Sequence, residues 1–406
     1  MKLLVFAHVP PPHHGQSQMV QYIVEGLRAR PELGIEVFHV DARLSEDLQD
    51  VGSARGSKVS LLLRYCTAAR RMGREQGIRA LYYVPSPPRR TPLYRDWLAL
   101  ARLRGRFPEL IYHWHSAGLG DWLDQSARPW ERIISQRLLG RPALSVVLAE
   151  VLRPDAVQLA SQRVEIVNNA VADPCPDFAI ALAPERRARL DQRRAKGGVV
   201  RVLFLALCSR DKGVFDAVEA VVRANAAAAT QNPELRFHLT VAGGFPDPET
   251  ERAFRERVSA ADVAGAVEYV GFLKGEAKRA VMVTTDVFLF PSYYACETHP
   301  LSVVEAMAFG LPVVATRWRG LPEMLPAGHA DLVEPQDPAG LAAALQAAAT
   351  SDRGFGLRTR YEQRYTLDRF LERLAAALKT VESRATDLPS SRNVLAAAAT
   401  RDSGHP

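Results

Sequence analysis

The chain has only four cysteines in 406 residues, Cys66, Cys175, Cys208 and Cys296, with no C-x-x-C pair among them. That spacing excludes a disulfide-stapled fold and a cysteine-based zinc module, and the thiols read as reduced groups of a cytosolic protein. Cys296 borders a pair of carboxylates but carries no nucleophile signature, and reads as a filler. No apolar run approaches the roughly 20 residues of a membrane-spanning helix. The amino-terminal MKLLVFAHVPPPHHG lacks a long apolar region and a small-residue cleavage site, so it reads as a first strand rather than a signal peptide. No phosphate-binding G-x-x-x-x-G-K-[ST] loop and no Ser-His-Asp pattern stands out. There is no Asp-x-Asp in a strand-end loop, and the histidines lack carboxylates at ligand spacing. Neither a metal site nor a cofactor is therefore expected.

What the chain does contain is a globular composition, 47% hydrophobic and 24% charged, in a length that suits two domains. Its net charge of +7 is unevenly placed: thirteen basic residues fall between Ser53 and Arg106, opposed only by Glu75 and Asp96. Trp97, Leu98, Leu100 and Leu103 interleave with the last of them. Such a basic face beside exposed apolar residues can meet an anionic membrane surface, with Arg70, Arg71, Arg89, Arg90, Arg102 and Arg104 as contacts. A plain solvated arginine face is the alternative. Aromatic stacking motifs are missing from the stretch, which argues against nucleic acid.

Two rounds of alternating apolar runs and amphipathic stretches predict an α/β protein. In the first half, strands are expected at 2–9, 35–40, 80–84, 109–113, 144–149 and 164–167. A helix from about Gln16 to Arg30 carries Met19, Ile23 and Leu27 on one face. Pro154, Pro174 and Pro176 interrupt the pattern, and Cys175 to Gly198 reads as a linker holding a polar Arg/Ala-rich helix. A second round follows, with strands at 200–206, 237–242, 267–269, 287–290 and 312–316. This predicts two doubly wound, Rossmann-like domains, 1–175 and 199–365, facing a central cleft. A helix over 366–383 would pack back toward the first domain, and 384–406 reads as a frayed tail.

Within the second round, Leu289 to Glu323 reads LFPSYYACETHPLSVVEAMAFGLPVVATRWRGLPE. It sets two carboxylates eight residues apart, Glu297 in a turn after a strand and Glu305 inside a short apolar helix. Pro300 suits a first helical position, Gly310 the carboxyl-terminal cap, and Pro312 blocks continuation. Glu305 sits among Val303, Val304, Ala306 and Met307, where a carboxylate must be exposed or hydrogen-bonded. The paired hydroxyls of a ribose would satisfy it; a solvated helix face would do so equally. Glu297 lies at the helix entry, where free N–H groups favour an anion such as phosphate.

The segment from the Pro-Ser before Glu297 through ETHPLSVVEAMAFGLPVVAT to RGLPE resembles the E-x7-E signature of retaining glycosyltransferases of the GT-B fold, in particular glycosyltransferase family 4. The resemblance implies a GT-B architecture. It gives Glu297 the donor sugar and Glu305 the ribose of a nucleotide sugar, with Thr298, His299 and Leu301 beside the donor. Lys212 and Gly213 in FLALCSRDKGV resemble the family's Lys-Gly element for the diphosphate. The family's second basic residue is replaced here by Leu207, leaving Arg210 as the candidate. Gly271 resembles the loop that packs on the base. In the first domain, Gly15 of PPPHHGQS resembles the glycine loop facing the phosphates, where the family has two glycines and this chain His14 and Gly15. His115 of IYHWHSAG aligns with the active-site histidine, and Asn169 with an Asn-Gly whose glycine is Ala170 here. The match is dense in the second domain and loose in the first. It implies a metal-independent, retaining transfer from a UDP- or GDP-sugar to a glycan or lipid-linked acceptor, in cell-surface polysaccharide biosynthesis. A sugar-nucleotide epimerase of the same fold, or an inactive binding module, are the other readings.

Overall fold

The computed structural model describes residues 1–44, 56–263 and 265–387. Arg55 and positions 388–406, the greater part of the expected tail, lie outside the described residues. The first sheet is built from β1 (Lys2–Phe6), β2 (Glu36–Val40), β3 (Ala80–Tyr83), β4 (Glu109–Trp114), β5 (Leu144–Val147) and β6 (Val164–Ile166), all parallel in the order β2-β1-β3-β4-β5-β6. The second uses β7 (Gly198–Leu205), β8 (Leu235–Ala242), β9 (Val267–Gly271), β10 (Val287–Phe290), β11 (Val313–Thr316) and β12 (Leu332–Val333), all parallel in the order β12-β11-β10-β7-β8-β9. The central strands are buried on both faces and read as continuous apolar runs, as parallel sheets covered by helices require. β12 escaped the sequence reading because two residues carry no period.

In each sheet the chain reverses its direction of winding once, between β1 and β3 in the first and between β7 and β10 in the second. Loops leaving neighbouring strands at such a point diverge to opposite faces and open a crevice at the strands' carboxyl ends. The loop after β7 carries Lys212 and the loop after β10 carries Glu297. The parallel pairing of β7 with β10 is therefore what brings residues so far apart in sequence to one place.

The helix Gly15–Ala29 packs Met19, Val20, Ile23 and Leu27 onto the first sheet, together with Phe370, Leu371, Leu374 and Leu378 of the helix Leu367–Asp387. A Cβ at Gly26 would lie 2.6 Å from Leu371, so the two helices touch where only glycine fits. The second helix runs to Asp387, four residues past its expected end at 383.

Two expectations about polar surfaces fail for reasons of packing. Trp97, Leu100 and Leu103 do not lie beside the arginines on the surface. They point inward to the core under the first sheet, and only Leu98 is half-exposed. Arg104 and Arg106 are also occupied: Arg104 donates to the carbonyls of Leu138 and Gly140, and Arg106 to that of Gly73. The helix Ala183–Lys196, expected to be polar, buries Arg186 and Arg193 against the second sheet. Arg186 donates to the carbonyls of Thr285 and Met282, and Arg193 pairs with the buried Asp286 at 2.7 Å. The arginine stems cover apolar surface, while the Arg186 head caps the end of the helix Gly275–Thr284 and the Arg193 head donates to the carbonyl of Ala349.

Asp286 also accepts from the backbone N–H of Arg201 at 3.0 Å. Asp286→Ala leaves the Arg193 guanidinium buried without its anion. The second domain should lose about 3–5 kcal/mol, read as a lower urea midpoint. An unchanged midpoint would show that the pair contributes nothing.

Candidate active site

Glu297 is 5% exposed, and a carboxylate so placed must be paired. It accepts from Lys212 Nζ at 2.7 Å and from Ser292 Oγ at 2.6 Å. Ser292 is held in turn by Thr316 of β11, whose hydroxyl donates to the Ser292 carbonyl. Lys212 lies over the ring of Tyr294, 4.7 Å from its centroid, so the cation is aimed by an aromatic wall as well as by Glu297. Gly213 follows with φ +79, and a Cβ there would sit 2.2 Å from the Pro291 carbonyl oxygen. The glycine thus lets the Lys212 loop press against the Glu297 loop.

The helix after Glu297 spans Leu301–Ala308, with Pro300 at the cap position, one residue earlier than expected, and no side chain capping its N–H groups. Gly310 has φ +63 just beyond its end. Glu305 is neither fully solvated nor orphaned. Its carboxylate accepts from Lys278 Nζ at 2.5 Å and keeps 18% side-chain exposure. Lys278 was missed by the sequence reading, because one lysine on the helix Gly275–Thr284 carries no local signal. Ser292 belongs to the Pro-Ser that opens the signature segment, but a loop serine does not by itself show which carboxylate it serves.

From the first domain, Gly15 opens the helix Gly15–Ala29 and faces the head of the Glu305 helix. A Cβ on it would be 3.8 Å from Leu301 Cδ1. Behind it four histidines line the first-domain wall. His8 Nε2 and His14 Nε2 are 3.0 Å apart, and the His113 and His115 ring centroids 4.3 Å apart. Tyr82 OH bonds His113 Nδ1, while Nε2 of His113 and of His115 are buried with no protein partner. Burial, with His8 and His13 adding to it, holds His14 down at about 4. Burial, with His14, holds His115 at about 3. His113 is pushed below the usual imidazole range by burial and by His115. This wall is neutral near pH 7 and offers hydrogen bonds rather than charge.

Three polar ties cross between the domains at the back of the site. Thr298 donates to the His115 carbonyl at 3.3 Å, Asn169 to the His299 carbonyl at 2.8 Å, and Glu323 accepts from the backbone N–H groups of Glu150 at 2.7 Å and Val151 at 3.1 Å. His299 is 2% exposed, its ring edge-on to Tyr365, and burial holds its pKa at about 3. Gly271 ends β9 with φ +73 and open space around its Cα, and its carbonyl accepts from Gly243. Arg210 does not join Lys212: its guanidinium stacks on Phe215, 4.5 Å from the ring centroid.

Residues 200–351, which include Lys212, Glu297 and Glu305, match the family model described as glycosyl transferases group 1. This is a glycosyl transferases group 1 domain. The amylovoran biosynthesis glycosyltransferase AmsK of Erwinia amylovora is 28% identical over 170 residues, 41% of this chain and 39% of AmsK. A glycogen synthase of Mycobacterium tuberculosis is 29% identical over 191 residues, 47% of this chain and 44% of the synthase. The WcaL protein of Salmonella typhimurium, assigned by name to colanic acid biosynthesis, is 28% identical over 176 residues, 41% of this chain and 40% of WcaL. The alignments thus span well under half the length of these curated relatives. Solved structures extend the likeness to both domains. HepE of Anabaena, in complex with UDP-glucose, superposes with a TM-score of 0.64 at 16% identity over 93% of this chain and 99% of HepE. Sucrose-phosphate synthase of Thermosynechococcus elongatus gives 0.65 at 18% identity over 95% and 100%. Two Rossmann-like sheets, one of them within the group 1 domain, make the GT-B fold.

The buried histidines set a pH dependence. Each binds a proton more readily in the unfolded chain, near the usual 6.5, than in the folded one. Their contribution is complete above pH 6.5 and is lost as pH falls from there toward about 3. The melting temperature should drop between pH 7 and pH 5, and His115→Asn should make that drop shallower. Equal slopes in both proteins would mean that the wall does not control acid stability.

Proposed function

We propose that the chain is a retaining glycosyltransferase of family 4, moving a sugar from a UDP- or GDP-sugar to a glycan or lipid-linked acceptor in polysaccharide biosynthesis. The observation that carries this is the Lys212–Glu297 pair, placed by the β7–β10 junction at the foot of the crevice. The names of relatives in amylovoran and colanic acid biosynthesis support the pathway class, and the HepE complex supports a nucleotide-sugar donor. Four unpaired thiols fit a reducing, cytoplasmic compartment, and such an acceptor would hold the enzyme at the inner face of the membrane.

In this reading Lys212 exchanges its bond to Glu297 for one to the donor diphosphate, and the uncapped N–H groups of Leu301–Ala308 take further phosphate charge. Glu297, released from Lys212 but still held by Ser292, accepts from hydroxyls of the sugar. Glu305 accepts from the ribose, with Lys278 fixing its orientation. Gly271 leaves room for the base. Thr298, His299 and Leu301 form the floor, and Gly15 and His115 close the site from the first domain. The bond to the sugar breaks as charge builds on the diphosphate, and the acceptor hydroxyl attacks from the same face and passes its proton to the departing diphosphate, so the anomeric configuration is retained. Lys212 and the helix end stabilise that charge, which makes the chemistry metal-independent.

Lys212→Ala should lower kcat by about 10²-fold or more with a smaller rise in donor KM, because the cation meets more charge in the transition state than in the bound donor. A change confined to KM would make Lys212 a docking charge only. Glu305→Ala should weaken nucleoside diphosphate and full donor alike, by about 1–3 kcal/mol in calorimetry. Unchanged diphosphate affinity would remove the ribose role. Activity should survive EDTA, and loss restored by manganese or magnesium would overturn metal independence.

A further inference from the structure

The helix Pro129–Leu139 packs Leu139, with Ile134 and Leu138 half-buried, on the core, but it also turns two polar residues inward and two large apolar ones outward. Its polar Glu131 and Ser135 are fully buried, while Trp130 is 43% and Ile133 68% exposed. The buried pair is satisfied. Glu131 accepts from Arg90 at 3.0 Å, from the Arg128 N–H at 2.6 Å and from Tyr94, and Ser135 accepts from Trp97 Nε1 at 3.1 Å. The two polar residues are thus stably placed inside, and Trp130 and Ile133 are left in water. Trp130, Ile133 and Arg137 follow at helical spacing on the outer face. Trp130 is not a loose side chain, since its ring lies 5.8 Å from Trp97 and 6.1 Å from Tyr94, centroid to centroid.

The charge around these two side chains is mainly positive. The helices Gly56–Glu75, Arg90–Leu103 and Pro129–Leu139 cover one face of the first sheet side by side. Their three acidic residues are Glu75, Asp96 and Glu131. Asp96 and Glu131 are buried, and Glu75 is paired with Arg71. Arg70, Arg74, Arg102 and Arg137 are exposed. Asp121 and Asp124 oppose them from the helix Leu119–Gln125, which packs against Pro129–Leu139.

We infer that this layer docks on an anionic lipid bilayer, with Trp130 and Ile133 entering the headgroup boundary and the arginines meeting lipid phosphates. A rigid aromatic with one wet edge and an aliphatic neighbour suit that boundary. The arginines add long-range attraction. A second copy of the chain fits this face poorly, because pairing it with itself would oppose arginine to arginine around only two apolar side chains. Nucleic acid would use the charge but leave Ile133 without a role. The inference deepens the membrane-side reading of the acceptor and is independent of the donor site.

Full-length protein is cosedimented with phosphatidylglycerol/phosphatidylcholine vesicles and with phosphatidylcholine alone. The parent should bind the anionic vesicles, and less so at high salt. Trp130→Ser with Ile133→Ser, and separately Arg102→Gln with Arg137→Gln, should each weaken partitioning about fivefold or more. Ile180→Ser, which removes an exposed isoleucine of the second domain, should leave it unchanged. The thermal shift given by UDP should be the same in all variants, which separates this surface from the transferase reading. The inference falls if the Trp130/Ile133 variant binds like the parent, if the parent prefers duplex DNA to vesicles, or if the variant instead dissolves a dimer in sedimentation equilibrium.

Discussion

A carboxylate taken out of water has to be met by charge and hydrogen bonds, and the arrangement around Glu297 follows from that requirement. Lys212 and Ser292 meet it from different loops, Thr316 of β11 steadies Ser292, and Gly213 lets the two loops close up. Three strands of one sheet thereby contribute to a single anion. The pair is also reactive in a useful sense, because each partner, parted from the other, would need a replacement of opposite character. A diphosphate and a hydroxylated sugar are such replacements.

The opposite wall is built on a contrasting principle. Where the second domain concentrates charge, the first presents neutral imidazoles, kept so by burial and by one another. Buried nitrogens on His113 and His115 without protein partners are costly unless something in the site uses them. Hydrogen bonds from the Thr298 hydroxyl and the Asn169 amide to backbone carbonyls, and from backbone N–H groups to the Glu323 carboxylate, tie the two walls together.

Long periodic elements were legible from residues alone, since strands such as Leu235–Ala242 and helices such as Gly15–Ala29 satisfy one period over enough residues to be unambiguous. The E-x7-E segment was legible because its strand, loop, helix and cap are contiguous. Other features were invisible for a common reason. Lys278 beside Glu305, Lys212 beside Glu297 as its ion partner, and the buried heads of Arg186 and Arg193 are all pairings made across the fold. A charged or polar residue carries no mark of whether it will face water or a distant carboxylate.

The basic segment between residues 53 and 106 shows the division most clearly. Its composition determined that the first domain would carry excess positive charge. Which apolar residues accompany that charge at the surface was decided only by packing. Trp97, Leu100 and Leu103 turn inward because the sheet beneath them needs a core, while Glu131 and Ser135 find partners inside and leave Trp130 and Ile133 outside. Sequence determines periods, breaks and charge totals because these are local. Which side chains pair, and which face of a helix meets water, depends on neighbours that only the folded chain supplies.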